Sequence, residues 1–249
     1  METSPVCNKC DNGWIIYKDN NGYEVAKECS CRKERIMQNR LRFANIPAAF
    51  REMTLSNFKF DVYRMPESKA IMNTVVGIIK AYLKELEGSL ETGKGLYIHS
   101  NTKGSGKTRM IASIANELMR NHNIQVKFST STTIINEIKA TWDKEERVCT
   151  ESALLDALST TQVLIIDDFG TEEVKGWIDE RFYSIINERY NNRKITMYTS
   201  NYALQDLKYG DRIKSRVKEM VYQIPFPEEC VRDYISEKDN SEMLQRLRR

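Results

Sequence analysis

The chain has 249 residues, of which 41% are hydrophobic and 29% are charged, and its formal net charge is +3. This composition is typical of a globular protein, and the length suffices for one large domain with a small appendage. No apolar run is long enough to span a bilayer, and the first residues lack a secretory apolar core. We therefore predict a cytoplasmic protein with no membrane partner, in which any contact with nucleic acid depends on local basic patches.

The N-terminal segment carries four of the six cysteines. Cys7 and Cys10 form one closely spaced pair, and Cys29 and Cys31 form a second pair. Residues 14–17 and 23–25 have strand character, and an Asn-Gly turn signal lies between them. A hairpin would bring the two pairs together, and four thiolates suit tetrahedral Zn²⁺. We predict a zinc module, with an iron–sulfur cluster or four unconnected thiols as the alternatives.

A basic segment follows the cysteines. Residues 32–42 contain Arg32, Lys33, Arg35, Arg40 and Arg42 against a single acidic residue. Such a helix either follows a phosphate backbone or is a solvated linker, and both interpretations stay open. We assign residues 1–42 to the zinc module with its linker helix.

The remainder predicts an α/β domain. Strand patterns at 96–99, 125–129, 163–166, 195–199 and 221–224 alternate with amphipathic helical patterns, and the run at 163–166 is continuously apolar. This alternation predicts a parallel sheet with helices on both faces, preceded by a helix over 68–86. We place the domain at 43–236 and a C-terminal helical tail at 237–249. The aromatic residues have core spacing, which predicts no stacking array for bases.

The segment after the first of these strands predicts a phosphate-binding loop. Its glycines allow backbone N–H groups to converge on phosphate oxygens, Lys107 adds a cation, and the Thr108 hydroxyl suits Mg²⁺. The first position of the motif is Asn101 rather than glycine. Asn tolerates positive φ, so we expect the turn to form. The residues predicted to bind ATP here are Thr102, Lys103, Gly104, Ser105, Gly106, Lys107, Thr108 and Arg109.

Polar residues end the third and fourth strands. Asp167 and Asp168 follow the 163–166 run, and Asn201 follows the next strand. In P-loop enzymes an acid at this place holds Mg²⁺, so we assign Asp167 to the metal, directly or through water. We assign Asp168 as the base that polarises the attacking water. Asn201 is placed to bond the γ-phosphate or that water, while a solvated strand end is the alternative for all of these groups.

Two arginines form a further candidate site. Arg212 and Arg216 are four residues apart and therefore share one helical face. An arginine can stabilise charge on a transferring phosphoryl group, and a neighbouring subunit can supply it. The alternative is an ordinary surface helix with salt bridges.

Taken together, these motifs resemble the AAA+ helicase loaders of the DnaC/DnaI type and the related IstB-type transposition ATPases. The resemblance covers about residues 43–236. It rests on FANIP at 43–47, GSGKT at 104–108, VLIIDDFG at 163–170, YTSN at 198–201 and DRIKSR at 211–216. It implies that Asn201 is the sensor-1 residue. It also implies that Arg216 is an arginine finger acting across a homo-oligomer interface, with Arg212 supporting it near the nucleotide.

The resemblance also implies partners. The cysteine module is similar to those of loaders that grip a replicative helicase, whereas IstB-type proteins usually lack it. Helices between 131 and 158 would line a single-stranded DNA path, with Lys139, Lys144 and Arg147 as candidate contacts. We therefore expect an ATPase of slow turnover that loads a replicative DNA helicase onto single-stranded DNA, using ATP, Mg²⁺ and Zn²⁺. The alternatives are an ATPase that assists a transposase and a non-hydrolysing adaptor.

Overall fold

The computed structural model describes residues 7, 9–10, 14–19, 22–142 and 149–247. Near the N-terminus, β1 (Trp14–Lys18) and β2 (Glu24–Glu28) form an antiparallel hairpin in which Trp14 faces Glu28. Helix α1 (Cys31–Ala44) follows directly and begins at the last cysteine of the second pair. The predicted hairpin is thus confirmed, and its second strand ends immediately before Cys29.

The rest of the chain alternates helices and strands. The elements are α2 (Pro66–Lys84), α3 (Leu86–Thr92), β3 (Gly95–His99), α4 (Lys107–Arg120), β4 (Val126–Thr130), α5 (Ser131–Ala140), α6 (Glu151–Thr160), β5 (Val163–Asp167), α7 (Gly176–Asn191), β6 (Ile195–Ser200), α8 (Asp211–Met220), β7 (Val221–Pro225) and α9 (Val231–Leu247). Helix α9 runs without a break across the boundary that we placed between residues 236 and 237. Within the described residues, no helix is long and apolar enough to cross a membrane.

The large sheet is parallel and has the strand order β4-β5-β6-β3-β7, with five strands in the described part of the chain. In the central strands, alternate residues enter different cores. In β5, Val163 and Ile165 join the core that contains α2 and α4, whereas Leu164 and Ile166 join the core beneath α5 to α8. Burial on both faces explains the continuous apolar runs of these strands. The predicted α/β class with helices on both faces is confirmed.

The strand order determines where polar loops meet. Strand β6 lies between β3 and β5, and β7 pairs with the other side of β3. Because all these strands are parallel, the segments that follow β3, β5, β6 and β7 emerge at one edge of the sheet. Ligands of open α/β sheets bind at this carboxyl edge.

Helix α1 is joined to the large domain. Leu41 packs against the main core, and the Arg40 guanidinium donates a hydrogen bond to the Asn123 side chain. Lys127 of β4 lies with its ammonium 5.5 Å from the ring centroid of Phe43. The end of the basic helix is therefore a packed element of the domain.

Candidate functional site

The loop between β3 and α4 has the backbone that a phosphate loop requires. Gly104 has φ +77° and Gly106 has φ +100°, conformations that L side chains rarely adopt. A Cβ on Gly106 would meet the Tyr63 hydroxyl at 2.9 Å. That hydroxyl donates a 2.7 Å hydrogen bond to the carbonyl of Ser105. Tyr63 therefore supports the loop from below, and there is no room for a side chain at residue 106.

Lys107 lies at the start of α4 with its ammonium held inside the loop. Nζ donates to the carbonyls of Ser100 (3.1 Å) and Thr102 (2.9 Å) and to the Ser105 hydroxyl (3.3 Å). Burial lowers the pKa of Lys107, and the nearby carboxylate of Asp168 opposes that shift. An ammonium whose hydrogen bonds go to neutral oxygens is ready to bind the oxygens of a phosphate.

Asn101 occupies the loop in a different way from the one we expected. Its φ is not positive, so the tolerance of Asn for that conformation is not used. Instead, its N–H donates to Glu228 Oε1 at 2.8 Å, while the Thr102 N–H (2.8 Å) and hydroxyl (2.7 Å) donate to Oε2. Partial burial alone would raise the pKa of Glu228, but hydrogen bonds from Thr102 and Asn101 outweigh it and hold that pKa below its usual value. A carboxylate from the β7–α9 connection thus fixes the start of the loop.

Two predicted magnesium ligands are already in contact. The Thr108 hydroxyl donates to Asp167 Oδ1 at 3.1 Å. Adjacent ligands of an octahedral Mg²⁺ lie roughly 2.9 Å apart, given metal–oxygen distances of about 2.0–2.1 Å. Burial raises the pKa of Asp167 to about 6, although a hydrogen bond from the Thr199 hydroxyl opposes the shift. This pair of oxygens therefore fits a hard cation. A bound cation would also offset the cost of burying the Asp167 carboxylate in its charged form.

Asp168 and Asn201 line the same cleft as the loop, whose volume is about 770 Å³. Asp168 is a non-glycine residue with φ +55°. Its N–H donates to the Thr199 hydroxyl (3.0 Å), and its carbonyl accepts from the Ser131 hydroxyl (3.0 Å). These bonds hold the turn in an uncommon conformation, which is a feature of functional sites. Asn201 reaches the cleft because β6 lies between β3 and β5.

Most of the predicted nucleotide residues line this one cleft. They are Lys103, Gly104, Ser105, Gly106, Lys107, Thr108, Arg109, Asp168 and Asn201. Thr102 and Asp167 lie just outside the lining but bond to Lys107 and Thr108 respectively. Arg109 also donates to the carbonyl of Asn57 at 3.1 Å.

The structure adds cleft residues that the sequence analysis missed. Arg232 lines the cleft, and the N–H groups of Val231 and Arg232 donate to the Gly104 carbonyl at 3.1 and 3.2 Å. Phe50, Val231 and Ile235 give the cleft an apolar side that suits a base, with Asn240 at its rim. Val231 and Arg232 reach the loop because β7 lies parallel to β3, a pairing that the sequence pattern does not reveal.

Arg212 and Arg216 do not line this cleft. They lie on α8, where Arg212 stacks on Tyr183 and Arg216 stacks on Tyr190, both of α7. The predicted finger residues are thus separated from the nucleotide cleft of their own chain.

The predicted DNA-contact residues are only partly described. Lys144 and Arg147 lie outside the described residues. The Lys139 ammonium lies 5.9 Å from the Trp177 ring centroid, and Trp177 meets Trp142 at 4.9 Å between centroids. Trp142 is 51% exposed. The two tryptophans are distant in sequence, and the fold brings Trp142, which follows α5, edge-on against Trp177 of α7. The Trp142 indole N–H donates to Glu151 at 2.7 Å.

The four N-terminal cysteines converge. All four Sγ atoms lie within 4.8 Å of one another, with Cys7 and Cys29 3.9 Å apart and Cys10 and Cys31 3.3 Å apart. Tetrahedral zinc with Zn–S bonds of about 2.3 Å requires sulfurs roughly 3.8 Å apart. The backbone N–H of Cys31, followed by its side chain, lowers the pKa of Cys29 to about 7. The cluster therefore fits a structural zinc.

Comparison with known proteins agrees with this geometry. The sequence profile of the family described as IstB-like ATP binding protein matches residues 5–213. The PBSX phage-like element protein XkdC of Bacillus subtilis (strain 168) is 28% identical over 221 residues, which are 86% of this chain and 79% of that protein.

Two helicase loaders are also similar. The replicative helicase loader DnaI of B. subtilis is 29% identical over 145 residues, covering 58% of this chain and 43% of DnaI. The loader DnaC of Escherichia coli (strain K12) is 25% identical over 164 residues, covering 65% of this chain and 63% of DnaC. The match thus spans less than two thirds of either loader.

A crystal structure of the DnaC helicase loader superposes with a TM-score of 0.60 at 24% identity, covering 73% of this chain and 100% of that chain. A crystal structure of DnaI gives a TM-score of 0.60 at 24% identity, covering 74% of this chain and 95% of that one. At this identity the two structures support the fold alone, and they confirm the predicted parallel sheet flanked by helices. The chain therefore belongs to the family of IstB-like ATP-binding proteins.

Proposed function

We propose that this protein hydrolyses ATP. The observation that carries the proposal is the single cleft in which Lys107, Thr108, Asp168 and Asn201 meet, with Asp167 bonded to Thr108. Each residue type has a separate use in phosphoryl transfer, and β3, β5 and β6 bring them together from distant parts of the sequence.

Each residue of the cleft has its own role in ATP binding and hydrolysis. The N–H groups of the loop and the Lys107 ammonium would hold the outer phosphates, while Thr108 and Asp167 would hold Mg²⁺. When bound, Mg²⁺ supplies positive charge that offsets the negative charge of the phosphates. Asp168 would accept a proton from the attacking water, and Asn201 would orient that water. Arg232, at the first turn of α9, is placed to contact phosphate within the same chain.

We further propose that hydrolysis serves the loading of a replicative DNA helicase onto single-stranded DNA. The named loaders among the relatives support this role, as does a cysteine module that fits zinc and would dock the helicase. The patch of Lys139, Trp142 and Trp177 suits single-stranded DNA, because bases stack on aromatic rings beside cations. ATP between neighbouring copies would hold a homo-oligomer together, and slow hydrolysis would release it.

A second candidate is an ATPase that assists a transposase. The IstB-like family profile favours it, because it matches most of the chain. The two functions share the cleft and differ in partner. Co-purification of the tagged chain with the host's replicative helicase, set against co-purification with a transposase, distinguishes them: recovery of the transposase alone contradicts the loader.

The first test of the ATPase is Lys107→Ala. Loss of a charged contact of about 1.5–3 kcal/mol weakens ATP binding roughly 10- to 100-fold. The matched control is Lys69→Ala, which removes an exposed lysine of α2. Titration with a fluorescent ATP analogue measures the dissociation constant, and equal affinity of Lys107→Ala and wild type overturns the assignment. ATP binding without hydrolysis, even with helicase and single-stranded DNA, points to the non-hydrolysing adaptor.

The second test concerns loading. The host helicase is offered a single-stranded DNA circle with this protein and ATP, and the helicase retained on DNA is measured. We expect retention with wild type and none above background with Lys107→Ala. Equal retention with and without this protein contradicts the loader.

A further inference from the structure

Two tyrosines of α7 lie beneath the two arginines of α8. The guanidinium carbon of Arg212 is 4.6 Å from the ring centroid of Tyr183, and that of Arg216 is 4.2 Å from the centroid of Tyr190. The tyrosines are seven residues apart and the arginines four, spacings that keep each pair on one face of its helix. The stacked pairs therefore follow from the packing of α7 against α8.

Tyr190 is itself fixed. Its hydroxyl donates a 2.7 Å hydrogen bond to Glu219 Oε2. Glu219 belongs to α8 and lies three residues after Arg216, so the bond joins the ring to the helix that carries the arginine. The ring against which Arg216 lies is thus held at one end by α7 and at the other by α8.

Contact with one tyrosine leaves most hydrogen-bond donors of an arginine available, because a guanidinium carries five N–H groups. In the part of the chain that the structure describes, neither Arg212 nor Arg216 has a carboxylate oxygen within 4.0 Å. The N–H donors lie in the plane of the guanidinium and match the geometry of phosphate. Arg212 is exposed and Arg216 half-buried, and neither lines the cleft of its own chain. Such a pair is suited to an anion that another molecule supplies.

We propose that Tyr190 and Tyr183 are positioning residues that hold Arg216 and Arg212 ready for the nucleotide bound by a neighbouring copy. The inference rests on the proposed function, in which those arginines act across the subunit interface. The rings restrict the arginine side chains, which would otherwise sample many rotamers. Less conformational entropy is therefore lost when the arginines bind the phosphate. Glu219 extends this arrangement by fixing the Tyr190 ring.

The experiment mixes two inactive variants. Lys107→Ala binds ATP poorly but retains the arginines, and Arg216→Ala binds ATP but lacks the finger, so ATP is used at a concentration that saturates only the Arg216→Ala chain. Hydrolysis restored on mixing shows that one copy completes the site of another. Tyr190→Leu is then added to the Lys107→Ala chain, and the restored rate is measured at the same ATP concentration. We expect the restored rate to fall about tenfold, because the energy of a cation–π contact at a partly desolvated site corresponds to a change of that size.

Three controls sharpen the result. Tyr190→Phe in the Lys107→Ala chain keeps the ring and should retain the rate within about twofold to threefold. Tyr222→Leu removes an exposed tyrosine that lies near Lys94 instead, and should change nothing. Tyr190→Leu in an otherwise unchanged chain should bind ATP with wild-type affinity, because Tyr190 lies outside the cleft. A fall in maximal rate without a change in ATP affinity separates positioning from general damage.

The outcomes are distinct. If Lys107→Ala and Arg216→Ala do not restore each other, the finger across the interface is wrong and the inference falls with it. If they do, and the Tyr190→Leu chain restores as much as its parent, the tyrosine role alone is overturned. Should Tyr190→Leu fail to fold, Tyr183→Leu tests the other stacked pair in the same mixture, with a loss of threefold or more expected and full restoration as the contrary result.

Discussion

The N-terminal hairpin and the nucleotide cleft are stabilised by different means. In the hairpin, Ile16 is 62% exposed and Tyr17 47% exposed, and the strands bury little apolar surface. The strands around the cleft are buried on both faces, as in β5, whose residues are all buried. We expect a hairpin with so little core to depend on a metal held by its cysteines, whereas the cleft depends on the sheet. Exposed apolar side chains on the hairpin also leave it free to contact a partner.

Removal of zinc should have the largest effect and should affect only the hairpin. A structural zinc contributes about 10–16 kcal/mol of apparent binding free energy, which a two-stranded hairpin cannot replace. We expect Cys29→Ser, or a strong chelator, to abolish hydrogen-exchange protection in β1 and β2. Elemental analysis should give one zinc per chain for wild type.

The control for this prediction is the affinity for ATP, which should stay within about twofold because the cysteines do not line the cleft. Protected β1 and β2 amides in the metal-free protein would show that the hairpin is stable by itself. Such a result would remove the contrast between the two regions.

The next effect belongs to a buried cation in the large domain. Arg189 is 0% exposed and donates to the Thr196 hydroxyl and to the carbonyls of Leu158, Ser159, Thr161 and Ile195. Arg189→Met leaves those acceptors without donors and should lower the free energy of unfolding by about 3 kcal/mol or more.

Arg32→Met in the hairpin region is the matched control. Arg32 lies over the Trp14 ring at 4.0 Å and pairs with the exposed Glu28, so its loss should cost about 1 kcal/mol or less. Urea denaturation followed by circular dichroism measures both variants. Equal urea midpoints for Arg189→Met and Arg32→Met would contradict the prediction that the buried arginine stabilises the protein more than the exposed one.

The parts of the fold that the sequence predicted share one physical cause. A strand buried on both faces needs a continuous apolar run, as at 163–166, and all five predicted strand segments became strands of the large sheet. The cysteine spacing likewise predicted a cluster because a hairpin between two cysteine pairs brings them together. The loop from Gly104 to Thr108 was visible because the positive φ of Gly104 and Gly106 restricts the residue choice there, and Lys107 and Thr108 complete the motif.

The missed residues depend on strand order, which local pattern does not encode. Arg232 and Glu228 reach the phosphate loop only because β7 pairs with β3 rather than with another strand. Phe50 reaches the cleft from a turn far upstream in the sequence. The role of Asn101 was misjudged for the same reason, because its partner Glu228 lies 127 residues away. Such contacts follow from topology alone.

A smaller effect compares one glycine from each region. Gly106 has φ +100° and an added Cβ would meet the Tyr63 hydroxyl at 2.9 Å, whereas Gly22 has φ +84° and open space around it. Gly106→Ala should therefore displace the loop and weaken ATP binding about tenfold or more, while Gly22→Ala should cost only about 1–2 kcal/mol of hairpin strain. Isothermal titration with ATP should show weaker binding for Gly106→Ala and unchanged binding for Gly22→Ala, and unchanged affinity in Gly106→Ala would contradict a closely packed loop.

The smallest effect concerns Glu228, which belongs to the cleft but reaches it through a surface connection. Glu228→Gln retains one acceptor oxygen and replaces the other with an NH₂ group, so the loop loses part of its hydrogen bonding from Asn101 and Thr102. We expect the dissociation constant for ATP to rise about threefold to tenfold, equivalent to roughly 1 kcal/mol. The control is Glu237→Gln on the exposed side of α9. The direction of the change in the dissociation constant is decisive, because the Glu228 carboxylate would also repel phosphate. Tighter binding in Glu228→Gln, largest at low salt, would mean that repulsion outweighs positioning and that the surface connection restrains the cleft instead of completing it.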